Sequence, residues 1–306
     1  VIDKRDMQKL VSRNLFSTVF SNLVNLVVRL FLPPLTLMFI SLHEYGIWTI
    51  GFTIVTYLNL GAFGITNVYV RYVAEYHAKN EINKINGLLS TGMILVTAIS
   101  LLVLIIFWFC LNPLVEQIFR IPHKLHDTAT FLFFGTACLF AFQLSIGDTL
   151  MRMLNGLQKI SETTSIFIIG LFVETVLTII FLFSGFGIYG LFWAFTIRQL
   201  LSAFAYLIIS YQFIPELSIS IKNFDRAYLK VFYRFGAIVQ IAGMIGVFLN
   251  TLDKLITSTM LNMQATALLG LGARFPSMAL SIPSSMSAVF LPATAYMHSQ
   301  QRHQEM

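Results

Sequence analysis

The sequence predicts an all-α fold, a polytopic transmembrane helix bundle, and three observations predict it. Hydrophobic residues make up 57% of the 306 positions and charged residues 11%, with a mean hydropathy of +0.77, whereas about a quarter of a soluble domain is charged. About eight apolar stretches approach or exceed the ~20 residues that a helix needs to cross the bilayer core. Lys and Arg also fall unequally between alternate loops, as they do in membrane proteins with a fixed orientation.

The first 13 residues carry Lys4, Arg5, Lys9 and Arg13 and lead into a span from about Asn14 to Ile40, with Pro33 and Pro34 expected to bend or break its far end. A second span runs from about Gly46 to Ala74 and closes on a charged loop containing Lys79, Glu81 and Lys84. The third covers about Gly87 to Leu111. The stretch from Pro113 to Asp127 that follows reads as a short interfacial helix on the far side. A fourth span, about Thr128 to Met151, returns to Arg152 and Lys159, with Asp148 four residues before Arg152 as in a local ion pair. The fifth, about Thr163 to Phe183, and the sixth, about Ile188 to Ser210, are joined by the tight turn Ser184-Gly185-Phe186-Gly187.

Residues 1–210 thus form an N-terminal lobe of six spans. The hydrophilic connection 211–234 reads as a linker on the cytoplasmic membrane surface, with Phe224 to Phe235 as a basic amphipathic helix. Residues 235–306 begin a second lobe with a seventh span, about Phe235 to Ile256, and an eighth, about Ala265 to Phe290. Placing the N-terminus in the cytoplasm leaves only Arg120, Lys124 and, at a boundary, Lys254 on the outer side, so this orientation is preferred in a bacterial or archaeal plasma membrane. The start at Val1 without Met and the end after an eighth span read as a fragment of a longer chain with no cleavable signal peptide.

Several function classes are set aside by composition. The two cysteines, Cys110 and Cys138, both lie in apolar segments and suggest neither disulfides nor a metal site. No cofactor is expected. The basic balance, with pI near 9.3, is assigned to cytoplasmic loops and not to nucleic-acid binding. A membrane enzyme of envelope glycan assembly would need an acid/base pair or a sizeable outer loop, and the stretch Pro113 to Asp127 offers no nucleophile or metal constellation.

Charged residues inside the spans are the candidate functional groups, because placing them in hydrocarbon is costly. Thr18, Asn22, Asn25 and Arg29 follow one face of the first span, as an interhelical seam or as the wall of a cavity. Thr266, Gly270, Arg274, Ser277, Ser281 and Ser284 form a similar stripe on the eighth, which Pro276 and Pro283 interrupt. Glu174 precedes Gly185 and Arg198 follows Gly187 by the same number of residues, ~16 Å of helix. The two are expected to pair, either to hold the bundle together or to handle substrate or protons. Asp253 and Lys254, near the outer boundary, are read as a gate or as snorkelling side chains.

Several short motifs accompany this pattern. They are Glu44-Tyr45-Gly46, Arg71-Tyr72-Val73-Ala74, Leu154-Asn155-Gly156-Leu157-Gln158, Leu252-Asp253-Lys254-Leu255-Ile256, Ala273-Arg274-Phe275-Pro276 and Leu291-Pro292-Ala293. Together they resemble the polysaccharide and O-antigen flippase family of the multidrug/oligosaccharidyl-lipid/polysaccharide exporter superfamily. A faint overlay of the first hairpin on the seventh and eighth spans, offset by about 220 residues, agrees with the pseudo-symmetric lobes that this resemblance implies. It also implies alternating access around a central cavity and translocation of a polyprenyl-diphosphate-linked oligosaccharide, without bond cleavage, beside other envelope polysaccharide assembly proteins. Arg29 and Arg274, with Asn22, Asn25 and Ser277, would then receive the diphosphate. The nearest rival, a cation-coupled drug exporter of the same superfamily, would need membrane carboxylates, of which Glu174 and Asp148 are the clear ones.

Overall fold

A computed structural model describes residues 4–58, 63–274 and 276, and all the regular structure among them is helical. The basic lead-in and first span are one helix, α1 (Lys4–Thr36), which runs through Pro33 and Pro34. The expected second span is two helices, α2 (Leu42–Leu58) and α3 (Phe63–Ala78), on either side of residues outside the description. Then follow α4 (Ile82–Pro113), α5 (His126–Phe142), α6 (Asp148–Gly156), α7 (Ile160–Phe183), α8 (Gly187–Phe213), α9 (Ala227–Met260) and α10 (Met263–Gly272). Among the described residues five segments are long and apolar enough to cross a membrane: Phe16–Thr36, Ile82–Ile118, His123–Gly156, Ile160–Phe183 and Gly187–Phe213. The expected seventh span is the latter part of α9. The eighth is represented by α10, and its later residues, Ser277, Ser281 and Ser284 among them, lie outside the description.

The helices run up and down, and two buried apolar clusters mark the two ends of the bundle. One joins Ile40, Tyr45 and Ile47 to Leu111, Phe133, Leu182, Phe192 and Met263, all near the α1–α2 turn. The other joins Val73, Leu88, Leu150, Leu154, Tyr206 and Phe232 at the opposite end. Large apolar side chains on the outer faces point away from both. Leu101, Leu102, Ile105 and Phe109 on α4, Phe172, Ile180 and Phe183 on α7, and Phe204 and Ile208 on α8 are all exposed. So much outward apolar surface is unfavourable in water but suits hydrocarbon, where the backbone is satisfied within each helix.

One predicted detail differs from the structure. Residues 113–127 form no interfacial helix: α4 ends in a π turn, Leu114–Ile118, and a single 3-10 turn, His123–Leu125, precedes α5. Pro122 and the left-handed backbone at Arg120 (φ 46°) separate the two turns. The connection after α8 is held across the start of α4. The buried Asn86 amide donates to the Glu216 carbonyl (3.0 Å) and accepts from the Ser218 N–H (3.0 Å). Ser90 and Thr91 accept from the Ser220 and Asp225 N–H groups at 3.1 and 2.9 Å. From Ala227 the chain continues as one unbroken helix, α9.

These bonds satisfy backbone that has no helix partner. Asn86→Ala is expected to destabilise the protein by about 1–3 kcal/mol. It should also speed tryptic cleavage at Lys222 and Arg226, as measured by thermal unfolding and limited proteolysis of the detergent-purified chain.

Candidate functional site

Elements α1, α2, α7, α8, α9 and α10 line an open cavity of about 560 Å³. Helix α1 contributes Asn22, Asn25 and Arg29 from one face, with Thr18 turned back to the Asn14 carbonyl at 2.8 Å. The Arg29 Nε donates to Asn25 Oδ1 at 3.1 Å, and Arg29 lies within electrostatic reach of Arg274, Arg198 and Glu174. Four cations, Arg29, Arg198, Lys254 and Arg274, and one carboxylate, Glu174, line the described cavity.

The carboxylate is engaged. Arg198 Nη1 lies 2.5 Å from Glu174 Oε2, with both side chains mostly buried. The tight turn makes α7 and α8 antiparallel neighbours, so residues equally distant from it face each other. Gly170 adds a further condition: a Cβ there would stand 3.3 Å from the Arg198 Cγ, so its bare backbone lets the arginine lie across α7. The guanidinium also covers the Phe167 ring at 5.0 Å. Phe167, Gly170 and Glu174 follow one another at steps of three and four, so they present one face.

Arg274, just past the end of α10, reaches across to both helices of the first hairpin. Its Nη2 donates to the Tyr45 hydroxyl at 2.6 Å, and its Nη1 donates to the Arg29 backbone carbonyl. Helices α2 and α10 pack closely enough to allow this. Gly46 touches the Met263 backbone, and a Cβ at Gly270 would lie 2.9 Å from the Thr49 methyl. Their first turns are held by caps. Ser41 and Glu44 form a reciprocal capping box on α2, and Asn262 accepts from the Ala265 N–H at 2.8 Å on α10. Gln264 Nε2 and His43 Nδ1 meet at 3.1 Å beside these starts.

The adjacent pair Asp253 and Lys254 divides. Lys254 lines the cavity together with Thr251, about 9 Å along α9 from its end. Asp253 is exposed and accepts from the Lys254 N–H at 2.8 Å. Asp148 lies within electrostatic reach of Arg152 and also receives the Gln143 side-chain amide at 3.3 Å across the π turn Gln143–Gly147. Ser277 lies outside the described residues.

Tyr45, Pro33 and Gly170 are the site residues that sequence reasoning passed over. Tyr45 stands inside Glu44-Tyr45-Gly46, a motif read only as a resemblance. Pro33 lies four residues after Arg29, a spacing visible in the sequence whose meaning requires Arg274 opposite.

This arrangement of helices is similar to that of solved transporters of the MOP superfamily. The chain superposes on the inward-facing conformation of a multidrug resistance MATE family transporter of that superfamily with a TM-score of 0.68, at 16% identity over 90% of this chain. It spans 66% of the length of that structure. With a MOP superfamily transporter from Pyrococcus furiosus, described for the reverse polarity of its binding pocket, the TM-score is 0.52 at 17% identity, over 93% of this chain and 71% of that one. Residues 11–298 match the family of polysaccharide biosynthesis proteins, and the chain belongs to that family. No curated protein matches the chain in sequence.

Removing one partner of a mostly buried pair strands the other charge. Glu174→Gln is expected to destabilise the purified protein by about 3 kcal/mol, while the swap Glu174→Arg with Arg198→Glu should recover most of that loss in thermal unfolding.

Proposed function

We propose that this chain forms the substrate-binding part of a transporter that flips a polyprenyl-diphosphate-linked oligosaccharide to the outer leaflet by alternating access. The observation that carries this reading is the charge balance of the cavity, which among the described residues is lined by four cations and one carboxylate, the latter already paired with Arg198. An anionic headgroup is the ligand such a wall attracts most strongly. Guanidinium groups can grip phosphate oxygens bidentately. The cavity volume lies within the range of ordinary ligand sites. Arg29, Arg274 and Asn25 are assigned to the diphosphate, with Asn22 and Lys254 beside them; Ser277 belongs to the same proposed set. The Glu174–Arg198 pair holds α7 against α8 and shapes the wall.

With the N-terminus in the cytoplasm of a bacterial or archaeal plasma membrane, the starts of α2 and α10 lie at the outer side. Their close packing then closes the cavity outward, and Lys254 lines its outer part, where with the neighbouring Asp253 it would act as a gate. The basic loops support this orientation.

The rival is a cation-coupled multidrug exporter, favoured by the likeness to a multidrug resistance MATE transporter. A cationic drug or coupling ion would seek Glu174, which is occupied at 2.5 Å by Arg198. Native mass spectrometry of the detergent-purified protein separates the two readings. Retained polyprenyl-diphosphate glycan that is reduced at least tenfold by Arg29→Ala and by Arg274→Ala is the expected result. Absence of that lipid, with binding of hydrophobic cations that depends on Glu174, would establish the exporter instead.

A further inference from the structure

Arg274 is held by a clasp whose origin lies in α1. A helical carbonyl normally accepts from the N–H four residues later, and for Arg29 that residue is Pro33, which has none. The Arg29 carbonyl is therefore left without its helical donor, and a polar group in an apolar setting needs another. Arg274 Nη1 supplies it, while Nη2 binds the Tyr45 hydroxyl at 2.6 Å. One guanidinium thus ties α10 to both α1 and α2.

Both acceptors are neutral, and among the described residues no carboxylate lies in ion-pair range of Arg274. A carbonyl and a hydroxyl bind a guanidinium less strongly than two phosphate oxygens do. An anion entering the cavity beside Arg29 therefore competes for the same nitrogens. Beneath the clasp α2 and α10 pack closely, with Gly46 against Met263 and Gly270 against Thr49. Such contacts hold by packing, so losing the clasp removes a polar tie across this part of the seam.

We infer that Pro33 and Tyr45 are positioning residues that hold Arg274 in a neutral clasp, and that the phosphate-bearing ligand of the cavity displaces this clasp and so unlatches α10 from α1 and α2. The inference rests on the anionic-ligand reading above. Because the empty state is stabilised by the clasp, weakening it should tighten anion binding.

The test uses the full chain in nanodiscs with inorganic pyrophosphate as the probe, titrated by calorimetry. Tyr45→Phe removes one acceptor. Pro33→Ala restores an N–H for the Arg29 carbonyl. Each is expected to bind pyrophosphate about tenfold more tightly than wild type, which corresponds to about 1.4 kcal/mol. Arg274→Gln should bind more weakly and should abolish the gain when combined with either. A His43→Cys/Gln264→Cys pair adds a second readout: its disulfide should form several-fold more slowly once pyrophosphate is bound. Wild-type binding with unchanged or weaker affinity in both variants would overturn the clasp and leave the anion reading standing. No pyrophosphate binding by wild type would overturn both. If Pro33→Ala does not fold, Tyr45→Phe, which loses a single oxygen, decides the matter.

Discussion

Every polar group placed in hydrocarbon must find its partner within the protein, and the centre of this bundle is organised by that requirement. Glu174 and Arg198 satisfy each other at 2.5 Å. Arg29 uses Asn25 on its own helix, and Arg274 takes a carbonyl that Pro33 releases together with the Tyr45 hydroxyl. These contacts join five helices, α1, α2, α7, α8 and α10. The apolar residues gather at the two ends of the bundle, leaving a polar cavity between them.

The seam between α2 and α10 shows how a short motif can serve several physical needs. In Glu44-Tyr45-Gly46 the carboxylate closes the capping box, the phenol holds Arg274, and the glycine leaves room for the Met263 backbone. A comparable division appears at the other end of the bundle. Asn155 accepts from the Thr163 hydroxyl at 2.8 Å, while a Cβ at Gly156 would stand 2.9 Å from the Val70 carbonyl, so this glycine lets the end of α6 approach α3. Small residues at helix contacts are favoured in membranes, where packing replaces the hydrophobic drive between helices.

Legibility in the sequence followed the range of the interaction. Local and periodic features could be read directly: Asn22, Asn25 and Arg29 share a face because a helix repeats every 3.6 residues, and all three line the cavity. The depth of Glu174 and Arg198 could be computed because a tight turn joins their helices. Longer connections gave no such ruler. The stretch after α4 was apolar enough for a surface helix, yet Pro122 and Arg120 impose turns on it. The polarity of the linker after α8 could be read, but not that Asn86, Ser90 and Thr91 bind it to α4.

The sequence by itself determined the membrane-spanning class, the helical periods and the charge stored within them, because these follow from transfer free energy and backbone geometry acting over a few turns. It also carried the family, through motifs whose order could be read without their contacts. Only the tertiary structure decided that Arg274 meets Tyr45 and the Arg29 carbonyl, and that Lys254 lines the cavity at a distance from the helix end. Those pairings join residues more than 200 positions apart, and their geometry depends on how closely Gly46 and Gly270 let two helices approach.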